Sequence, residues 1–563
     1  LPFVLFSATA GQIADKYEKS MLFRRIKLFE VGLMLIAALA FMTRSYGLLL
    51  FVLFLMGTQS TLFGPVKYAY LPQQLATREL IGGNALVEAG TFTAIIIGLI
   101  VGGIAVGLSP GGPAPIAVFL VAFSAFGYLL SRQIPPTPAA DPDLVVHWNA
   151  WRETGRILGF ARSKKSVFLA ILGISWFWFF GTVMTIQLPA YTLQVLRGDE
   201  LVTTCLLATF AVGVGIGSIL CERLSGHRIE LGLVPFGAIG LTAFGIDLYF
   251  AEPVASAYAV DSVRAFLERP GTPRILFDLT MIGAFGGIYS VPLYALIQER
   301  AERKHLSRII AANNIINSFF MVTASVMSVA LLAAGLSIPE LFVVTAILNA
   351  VVAAYIFTLL PEFLLRFLAW IVISVVYRIR PQGIDNIPDR GPAVVVCNHV
   401  SYMDPVILSG CVRRPMRFVM WYKIFEIPVM RFFFRQARAI PIASARENEA
   451  LMHSALEQVD AELEAGNIVC IFPEGGLTRD GEVQRFRPGI EKIIERRAVP
   501  VIPVALGRLW GSWFSRDGRG ALRRFPGRLF ARVPVFIGPP VKPGDVSAAK
   551  LELLVRTLRG EYR

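Results

Sequence analysis

Long apolar segments follow one another through the first 360 residues of this chain and restrict how it can fold. A helix of about 18 to 25 apolar residues spans the hydrocarbon layer of a bilayer. Eleven segments reach or approach that length, near 1–14, 26–43, 47–64, 85–108, 114–131, 166–192, 201–221, 230–250, 275–298, 306–334 and 338–360. Because 55% of the residues are hydrophobic and 17% are charged, a single water-soluble core is excluded. The sequence therefore predicts a polytopic helical membrane domain.

Basic residues are unevenly divided between the two sides of this predicted domain. Nineteen lysines and arginines fall in one set of alternating connections, and five fall in the other, namely Arg44, Arg197, Arg264, Arg269 and Arg274. Because the positive side of a membrane protein faces the cytoplasm, the chain after the last segment is predicted to be cytoplasmic. The net charge of +14 is attributed to these loops and to contact with anionic lipid, so no nucleic-acid partner is expected.

The cysteines show neither metal-ligand spacing nor a disulfide pattern. The five are Cys205, Cys221, Cys397, Cys411 and Cys470. This distribution favours reduced, mostly buried thiols, and no metal site is predicted.

The first and seventh apolar segments each end in a glycine followed by an acid and a base. The runs are Gly11-Gln12-Ile13-Ala14-Asp15-Lys16 and Gly217-Ser218-Ile219-Leu220-Cys221-Glu222-Arg223. The first resembles the loop signature of the major facilitator superfamily, with Glu18 where that family usually has glycine, and the second resembles its weaker counterpart. The resemblance implies twelve helices in two halves of six, with the first helix missing here. Ordinary interfacial residues are the alternative interpretation of either run alone.

Polar residues inside the apolar segments are candidates for contact with a transported substrate, because burying them in lipid costs free energy. Phe63-Gly64-Pro65-Val66-Lys67-Tyr68-Ala69-Tyr70-Leu71-Pro72, followed by Asn84-Ala85-Leu86-Val87-Glu88, resembles the bacterial lysophospholipid transporter branch of that superfamily. Asn84 and Glu88 are one helical turn apart and face the same way. The predicted transport-cavity residues are Lys67, Tyr68, Asn84, Glu88, Asp278, Asn314 and Asn317. The alternative for each is an interhelical hydrogen bond or an interfacial position.

The pattern of apolar and polar residues changes after residue 361, which predicts a second domain. Residues 1–361 are assigned to the transporter-type domain, 362–380 to an amphipathic linker helix at the bilayer surface, and 381–563 to the second domain. A thirteenth span is the alternative for the linker. Buried-strand patterns at 393–397, 468–472 and 499–504, with a helical pattern at 446–465, predict an α/β domain with a largely parallel sheet.

Two motifs follow the first two of these strands, where α/β folds place their ligands. In Asn398-His399-Val400-Ser401-Tyr402-Met403-Asp404, the acid can orient the histidine as a general base. In Phe472-Pro473-Glu474-Gly475-Gly476, the glycines allow backbone N–H groups to approach a phosphate, with Arg479 supplying charge. A structural histidine and an ordinary turn are the alternatives.

These motifs belong to four blocks that resemble the glycerolipid acyltransferase family of the 1-acylglycerol-3-phosphate acyltransferase type, over about 381–545. The resemblance implies a catalytic pair, His399 and Asp404, and acceptor-binding residues Glu474, Gly475, Gly476, Arg479 and Lys423. One block departs from the pattern, because Arg438-Ala439-Ile440-Pro441-Ile442-Ala443-Ser444 lacks the usual final arginine, which Arg446 would have to replace. Lys423 or backbone N–H groups near Val501 are candidate donors to the reacting carbonyl oxygen.

Together the resemblances imply a flippase and acyltransferase that brings lysophospholipid, such as lysophosphatidylethanolamine, to the cytoplasmic leaflet and re-acylates it. The implied acyl donor is a thioester of acyl carrier protein or coenzyme A, and an acyl-activating ligase domain or protein is a further implied partner. No bound cofactor is expected, and the implied location is a bacterial inner membrane. Two other functions remain open: a transporter of another amphiphile with an inactive tail, and a lysophosphatidic acid acyltransferase on a non-transporting anchor.

Basic residues of the second domain are predicted to hold it at anionic headgroups. They are Arg414, Arg417, Arg431, Arg435 and Arg438. Salt bridges within the domain are the alternative for each.

Overall fold

The chain divides into two compact units, Leu1–Ile356 and Phe357–Arg563. The computed structural model describes residues 1–107, 114–226, 229–251, 262–359, 361–388, 390–412, 414–512, 514–515 and 532–561.

The first unit is helical, and each of the eleven predicted segments coincides with one long helix. Its helices are α1 Pro2–Lys16, α2 Lys19–Met42, α3 Tyr46–Gln74, α4 Leu80–Gly107, α5 Ala114–Ser131, α6 Ala150–Ser163, α7 Lys165–Tyr191, α8 Glu200–Ser225, α9 Leu233–Phe250, α10 Val263–Leu267, α11 Thr272–Arg300, α12 Leu306–Ala333 and α13 Ile338–Leu359. Within the described ranges, nine helices are long and apolar enough to cross a membrane. The prediction of a multi-pass helical domain is confirmed.

Small residues allow close helix packing in this unit, as is common between membrane helices. A Cβ atom at Gly217 on α8 would lie 1.9 Å from the carbonyl oxygen of Ala284 on α11. A Cβ atom at Gly11 on α1 would lie 2.8 Å from the Cβ of Ala311 on α12. The glycines of the two repeated runs therefore lie at helix crossings that a larger residue would force apart.

The second unit is an α/β domain. Its elements are α14 Pro361–Val376, β1 Arg378–Gln382, β2 Ala393–Cys397, α15 Asp404–Cys411, β3 Met416–Trp421, α16 Pro428–Gln436, β4 Ile440–Ile442, α17 Glu449–Glu464, β5 Ile468–Ile471, α18 Gly489–Arg496, β6 Val501–Leu506, β7 Arg532–Ile537 and α19 Ala548–Arg559. The strands form one seven-stranded sheet in the order β1-β7-β6-β2-β5-β3-β4. All neighbours are parallel except β6 and β7, so the predicted largely parallel sheet is confirmed.

Both faces of the sheet are covered, which explains the uninterrupted apolar run of β2. Val395 and Cys397 face a core that includes Ile373 of α14 and Ile407 of α15. Val394 and Val396 face the opposite core, with side chains from α17, α18 and α19. Strand side chains alternate between the faces, so a strand buried on both sides needs apolar residues at every position.

The predicted linker helix is corrected at its C-terminal end. The helix α14 ends at Val376, and Arg378–Gln382 form β1, which pairs with β7. Strand β1 lies at the edge of the sheet. Its polar residues and Pro381 interrupt the apolar pattern by which a strand is predicted. Leu364 and Phe367 of α14 are buried, and a Cβ atom at Gly410 of α15 would lie 2.9 Å from the Cα of Trp370. Helix α14 therefore packs as part of the α/β unit.

Candidate functional site

His399 and Asp404 are brought into direct contact at the end of β2. The Nδ1 atom of His399 lies 2.8 Å from Oδ2 of Asp404, which is the first residue of α15 and fully buried. The same oxygen accepts hydrogen bonds from the backbone N–H groups of Val400 and Ser401, at 2.7 and 2.9 Å. These bonds hold the carboxylate still, so the proton of the ring is kept on Nδ1 and Nε2 is left to accept one.

The position of the histidine is fixed by the neighbouring strands. Its ring stacks on Phe472 at 4.2 Å between centroids, and its carbonyl oxygen accepts a hydrogen bond of 2.9 Å from Thr478 N–H. Asn398, one residue earlier, exchanges two hydrogen bonds with the backbone of Leu506 on β6. Strands β2 and β5 are neighbours in the sheet, about 4.8 Å apart, so the two motifs meet at one edge.

Glu474 faces the histidine loop. Its Oε1 accepts a hydrogen bond of 3.0 Å from the backbone N–H of His399, and its side chain is almost fully buried. Burial raises the pKa of Glu474 to about 8, and the charge of Asp404 adds to the rise, although backbone hydrogen bonds from His399 and Gln484 oppose it. The resemblance assigned Glu474 to acceptor binding, and that role stays a prediction; in the structure its carboxyl group contacts the backbone of His399.

The glycine turn carries a cation that the sequence interpretation missed. Gly475 has a φ of +75°, which favours glycine, and a Cβ atom there would lie 2.5 Å from Cζ of Arg487. Arg487 is tied to the turn by a 2.9 Å bond from its backbone N–H to Pro473 O. Gly476, Arg479 and Arg487 are exposed in the loop whose residues Glu474 and Thr478 contact the backbone of His399. The signal that could have found Arg487 is its position in Phe486-Arg487-Pro488-Gly489, directly before α18.

Helix α19 makes several contacts with the loop that carries Arg479 and Arg487. Arg559 of α19 donates to the carbonyl oxygen of Gly481 at 2.8 Å and pairs with Glu482. Arg556 of α19 bonds to the carbonyl oxygen of Val483. Glu552 accepts a 3.0 Å hydrogen bond from Phe486 N–H. Helix α19 lies beyond the predicted acyltransferase blocks, which end at about residue 545, yet it holds the loop between Thr478 and Arg487 in place.

Lys423 lies away from His399. It follows β3, which is separated from β2 by β5 and so lies about 10 Å across the sheet. Its Nζ lies 5.2 Å from the ring of Trp421. The backbone N–H of Val501 is also taken, because it donates to Val541 O at 3.0 Å. That N–H is therefore not free to stabilise charge on a substrate.

Cys397, two residues before His399, is unsuited to be a nucleophile. The residue is fully buried in β2, and burial raises the pKa of its thiol well above the usual value.

Four predicted transport residues form one buried network with α11. The hydroxyl of Tyr68 donates to Glu88 at 2.5 Å, and its ring stacks on Tyr294 with centroids 4.5 Å apart. Asn84 and Gln298 exchange two side-chain hydrogen bonds of 2.5 and 3.1 Å, and Gln298 also donates to Tyr68 O at 3.0 Å. Lys67 lies 4.7 Å from the Tyr68 ring. The sequence interpretation missed Gln298 and Tyr294.

Of the remaining predicted transport residues, Asn314 lies against α3 one helical turn from Tyr68, Asn317 contacts α7, and Asp278 lies farther along α11. Asn317 accepts a 2.7 Å hydrogen bond from Ser175 of α7, and a Cβ atom at Gly64 would lie 2.9 Å from Nδ2 of Asn314. Asp278 is fully buried, sixteen residues before Tyr294 on the same helix, which corresponds to about 24 Å at 1.5 Å per residue. It therefore does not belong to the network around Glu88.

The two repeated runs, at 11–16 and 217–223, each contact the opposite half of the helical unit. Asp15 is fully buried, pairs with Arg308 of α12 at 2.9 Å and accepts from Ser307 N–H at 3.1 Å. Arg308 also pairs with Asp141 at 3.2 Å. Lys16 lies over the Tyr17 ring, Arg223 is exposed, and a Cβ atom at Gly82 of α4 would lie 2.4 Å from Oε1 of Glu222. At Glu18, the departure from the family pattern, the carboxylate caps α2 by accepting from Ser20 and Met21 N–H.

Within the described residues, no group of three or more histidine, cysteine, aspartate or glutamate side chains is arranged to hold a metal ion.

Comparison with known families agrees with this architecture. Residues 1–267 match the Major Facilitator Superfamily, and residues 378–507 match the family described as Acyltransferase. The chain thus joins a major facilitator superfamily domain to an acyltransferase domain, and both predicted resemblances are confirmed.

Relatives of the helical unit are lysophospholipid transporters. The lysophospholipid transporter LplT of Escherichia coli O1:K1 / APEC is 27% identical over 310 residues, which are 54% of this chain and 69% of that protein. LplT of Serratia proteamaculans (strain 568) is 28% identical over 306 residues, 53% of this chain and 69% of that protein.

Two solved structures are similar to separate parts of the chain. The human organic anion transporter MFSD10 is 14% identical, with a TM-score of 0.50, and the match covers 63% of this chain and 81% of that one. The 1-acyl-sn-glycerophosphate acyltransferase PlsC from Thermotoga maritima is 22% identical, with a TM-score of 0.28, over 35% of this chain and 78% of that one.

Proposed function

We propose that this protein moves lysophospholipid, in the first instance lysophosphatidylethanolamine, to the cytoplasmic leaflet and re-acylates it there to diacyl phospholipid. The observation that carries the proposal is the His399–Asp404 pair, buttressed by Glu474, in a chain whose helical unit is similar to lysophospholipid transporters. The excess of basic residues in one set of loops supports a cytoplasmic acyltransferase domain in a bacterial inner membrane.

The proposed reaction uses His399 as a general base. Its Nε2 removes the proton of the free glycerol hydroxyl, and the hydroxyl oxygen attacks the carbonyl carbon of an acyl thioester of acyl carrier protein or coenzyme A. The tetrahedral intermediate collapses with cleavage of the carbon–sulfur bond, and the imidazolium returns its proton to the leaving thiolate. Asp404 stabilises the imidazolium without itself being protonated. The buried Cys397 supports direct transfer, with no acyl-enzyme.

The acceptor phosphate is proposed to bind at the glycine turn. Arg487 and Arg479 offer charge-assisted hydrogen bonds, and the exposed backbone at Gly476 allows close approach. This places the headgroup phosphate next to the base, with the glycerol hydroxyl directed towards Nε2. An acyl-activating ligase domain or protein remains the proposed source of the donor.

Reconstitution in liposomes tests the whole proposal. Labelled lysophosphatidylethanolamine is added to the outside, and its movement across the bilayer is followed with and without acyl thioester. We expect movement in both cases and diacyl product only with the donor. Product from a lysophospholipid that never crosses the membrane would contradict the coupled function, and movement without any product would contradict the acyltransferase.

A further inference from the structure

The helix α16 and the segment before it expose a group of large apolar side chains. Ile427 and Phe432 are 52% and 51% exposed, and Trp421, Met430 and Phe433 are also exposed. We call these five side chains the α16 surface. Large exposed apolar groups clustered in this way indicate an interaction site.

Cations lie along one edge of this surface. Arg431 and Arg435 are exposed and one turn apart on α16, so they form a single stripe. Phe432 and Phe433 point about 100° apart on the helix and widen the apolar arc beside that stripe. Lys423 is exposed near Trp421, and Glu426 is the acidic residue of the stretch. A broad apolar arc edged by arginines is typical of helices that lie in a membrane interface.

Two of the arginines predicted from the sequence to meet lipid have other roles. Arg414 donates hydrogen bonds to the carbonyl oxygens of Pro388, Gly391 and Gly466. Arg417 is buried and donates to Glu462 at 3.0 Å. These contacts hold the α/β unit together, whereas Arg431 and Arg435 on α16 are among the members of the predicted set that stay exposed.

Chain connectivity limits how far the α16 surface can be from a bilayer. Helix α14 begins two residues after the end of α13, which is apolar enough to cross a membrane, and α14 packs against α16. With 16 residues, α14 is about 24 Å long, and packed helices lie about 8–10 Å apart. The surface is thus within a few tens of ångströms of the point where the chain leaves the membrane.

We propose that the α16 surface inserts into the headgroup region of the membrane leaflet and holds the α/β unit against it. Phe432, Phe433, Trp421, Ile427 and Met430 enter the boundary of the acyl chains, while Arg431 and Arg435 pair with lipid phosphates. An acidic protein that docks on the same arginines is the competing occupant. The apolar side chains cover a wide arc of the helix. A rigid protein partner would contact only one face of it, whereas lipid can surround the whole arc, so the arc favours lipid as the occupant.

Fluorescence quenching in the full chain tests this proposal without depending on either activity. The probe is bimane on Phe433→Cys in a Cys205→Ser, Cys411→Ser background, since these two native cysteines are the partly exposed ones. The matched control is Leu553→Cys on α19, which is 65% exposed. Both proteins are placed in nanodiscs that contain anionic lipid.

We expect nitroxide-labelled lipids to quench position 433, at a depth of about 5–10 Å below the headgroup boundary, and aqueous iodide to quench position 553. Equal iodide quenching at both positions would overturn the proposal. So would the absence of quenching by either agent at 433, or a response at 433 to acyl carrier protein and not to lipid.

Discussion

At the scale of single residues, the orientation of His399 is set by hydrogen bonds from its neighbours. Asp404 accepts three hydrogen bonds at one oxygen, from the ring of His399 and from the N–H groups of Val400 and Ser401. Glu474 accepts a fourth from the backbone of His399. Because each donor lies within the loop that the acids support, a small set of short-range bonds sets the direction of Nε2.

The raised pKa of Glu474 predicts a pH dependence of stability. The unfolded chain releases this proton near pH 4.5 and the folded chain near pH 8, so between these values the folded state binds more protons. The free energy of unfolding of the α/β unit should therefore fall as pH rises from about 5 to 8, by up to a few kcal/mol from this group. Thermal unfolding of the wild type and Glu474→Gln at both ends of this range measures the difference. A glutamine variant with the same pH dependence as the wild type would contradict this prediction.

Glu88 is predicted to be required for transport. Glu88→Gln keeps an acceptor for the Tyr68 hydroxyl but removes the negative charge close to Lys67, leaving a cation uncompensated in the helical unit. We expect slower lysophospholipid movement at normal protein levels. The matched control is Leu86→Ala on the same helix, where the side chain is 68% exposed. Equal transport by Glu88→Gln, Leu86→Ala and wild type would assign Glu88 a structural role.

At the scale of elements, helix α19 shows how a distant part of the chain shapes the site. Its arginines satisfy carbonyl oxygens of the loop that follows β5, including those of Gly481 and Val483. The loop also has hydrogen bonds of its own, from Gly481 N–H to Thr478 and from Glu482 N–H to Asp480, and the arginines of α19 add contacts from outside it. A loop held in this way can keep a bound group in one position. The proposed acceptor site thus depends on an element outside the family's motif blocks.

Removing these contacts should weaken acceptor use. Arg559→Ala leaves Gly481 O and Glu482 without that partner, and loss of loop position should reduce kcat/KM for the acceptor by about 10 to 10²-fold. Leu553→Ala, on the exposed side of the same helix, is the control. Steady-state kinetics with varied acceptor and then varied donor measure the effect. An equal change in the KM of the donor would indicate general unfolding and not loss of the acceptor loop.

At the scale of the whole molecule, the two predicted activities occupy separate compact units. The buried network around Glu88 and the contacts of Asp15 with Arg308 lie within Leu1–Ile356, whereas His399 and its supporting residues lie within Phe357–Arg563. Each unit has its own hydrophobic cores. A change at the base should therefore leave the helical unit intact.

His399→Ala should abolish acyl transfer and spare lipid movement. Loss of a general base lowers a rate by about 10² to 10⁴-fold, whereas the hydrogen bonds of the helical unit are untouched. Both activities are measured in the same proteoliposomes, with His453→Ala, an exposed histidine on α17, as control. A full acyltransferase rate in His399→Ala would contradict its role as base, and parallel loss of both activities would contradict the separation of the units.

The sequence by itself determined the features that depend on neighbours along the chain. Apolar runs marked the eleven long helices and the buried strands β2, β5 and β6, because burial demands the same residue types wherever it occurs. The contact between His399 and Asp404 could also be predicted, because both residues lie within one short segment of the chain. Strands β1, β3, β4 and β7 were not predicted because polar or proline positions interrupt their apolar pattern.

Only the tertiary structure decided which distant residues meet. Asn84 contacts Gln298, which is 214 positions further along the chain, and Arg308 joins Asp15 to Asp141. Arg487 reaches Gly475 because the chain turns back before α18, and Asp278 is removed from the transport network because a helix rises 1.5 Å with every residue. Polar side chains look alike in a sequence, since their partners are set by how helices and strands pack and not by spacing along the chain.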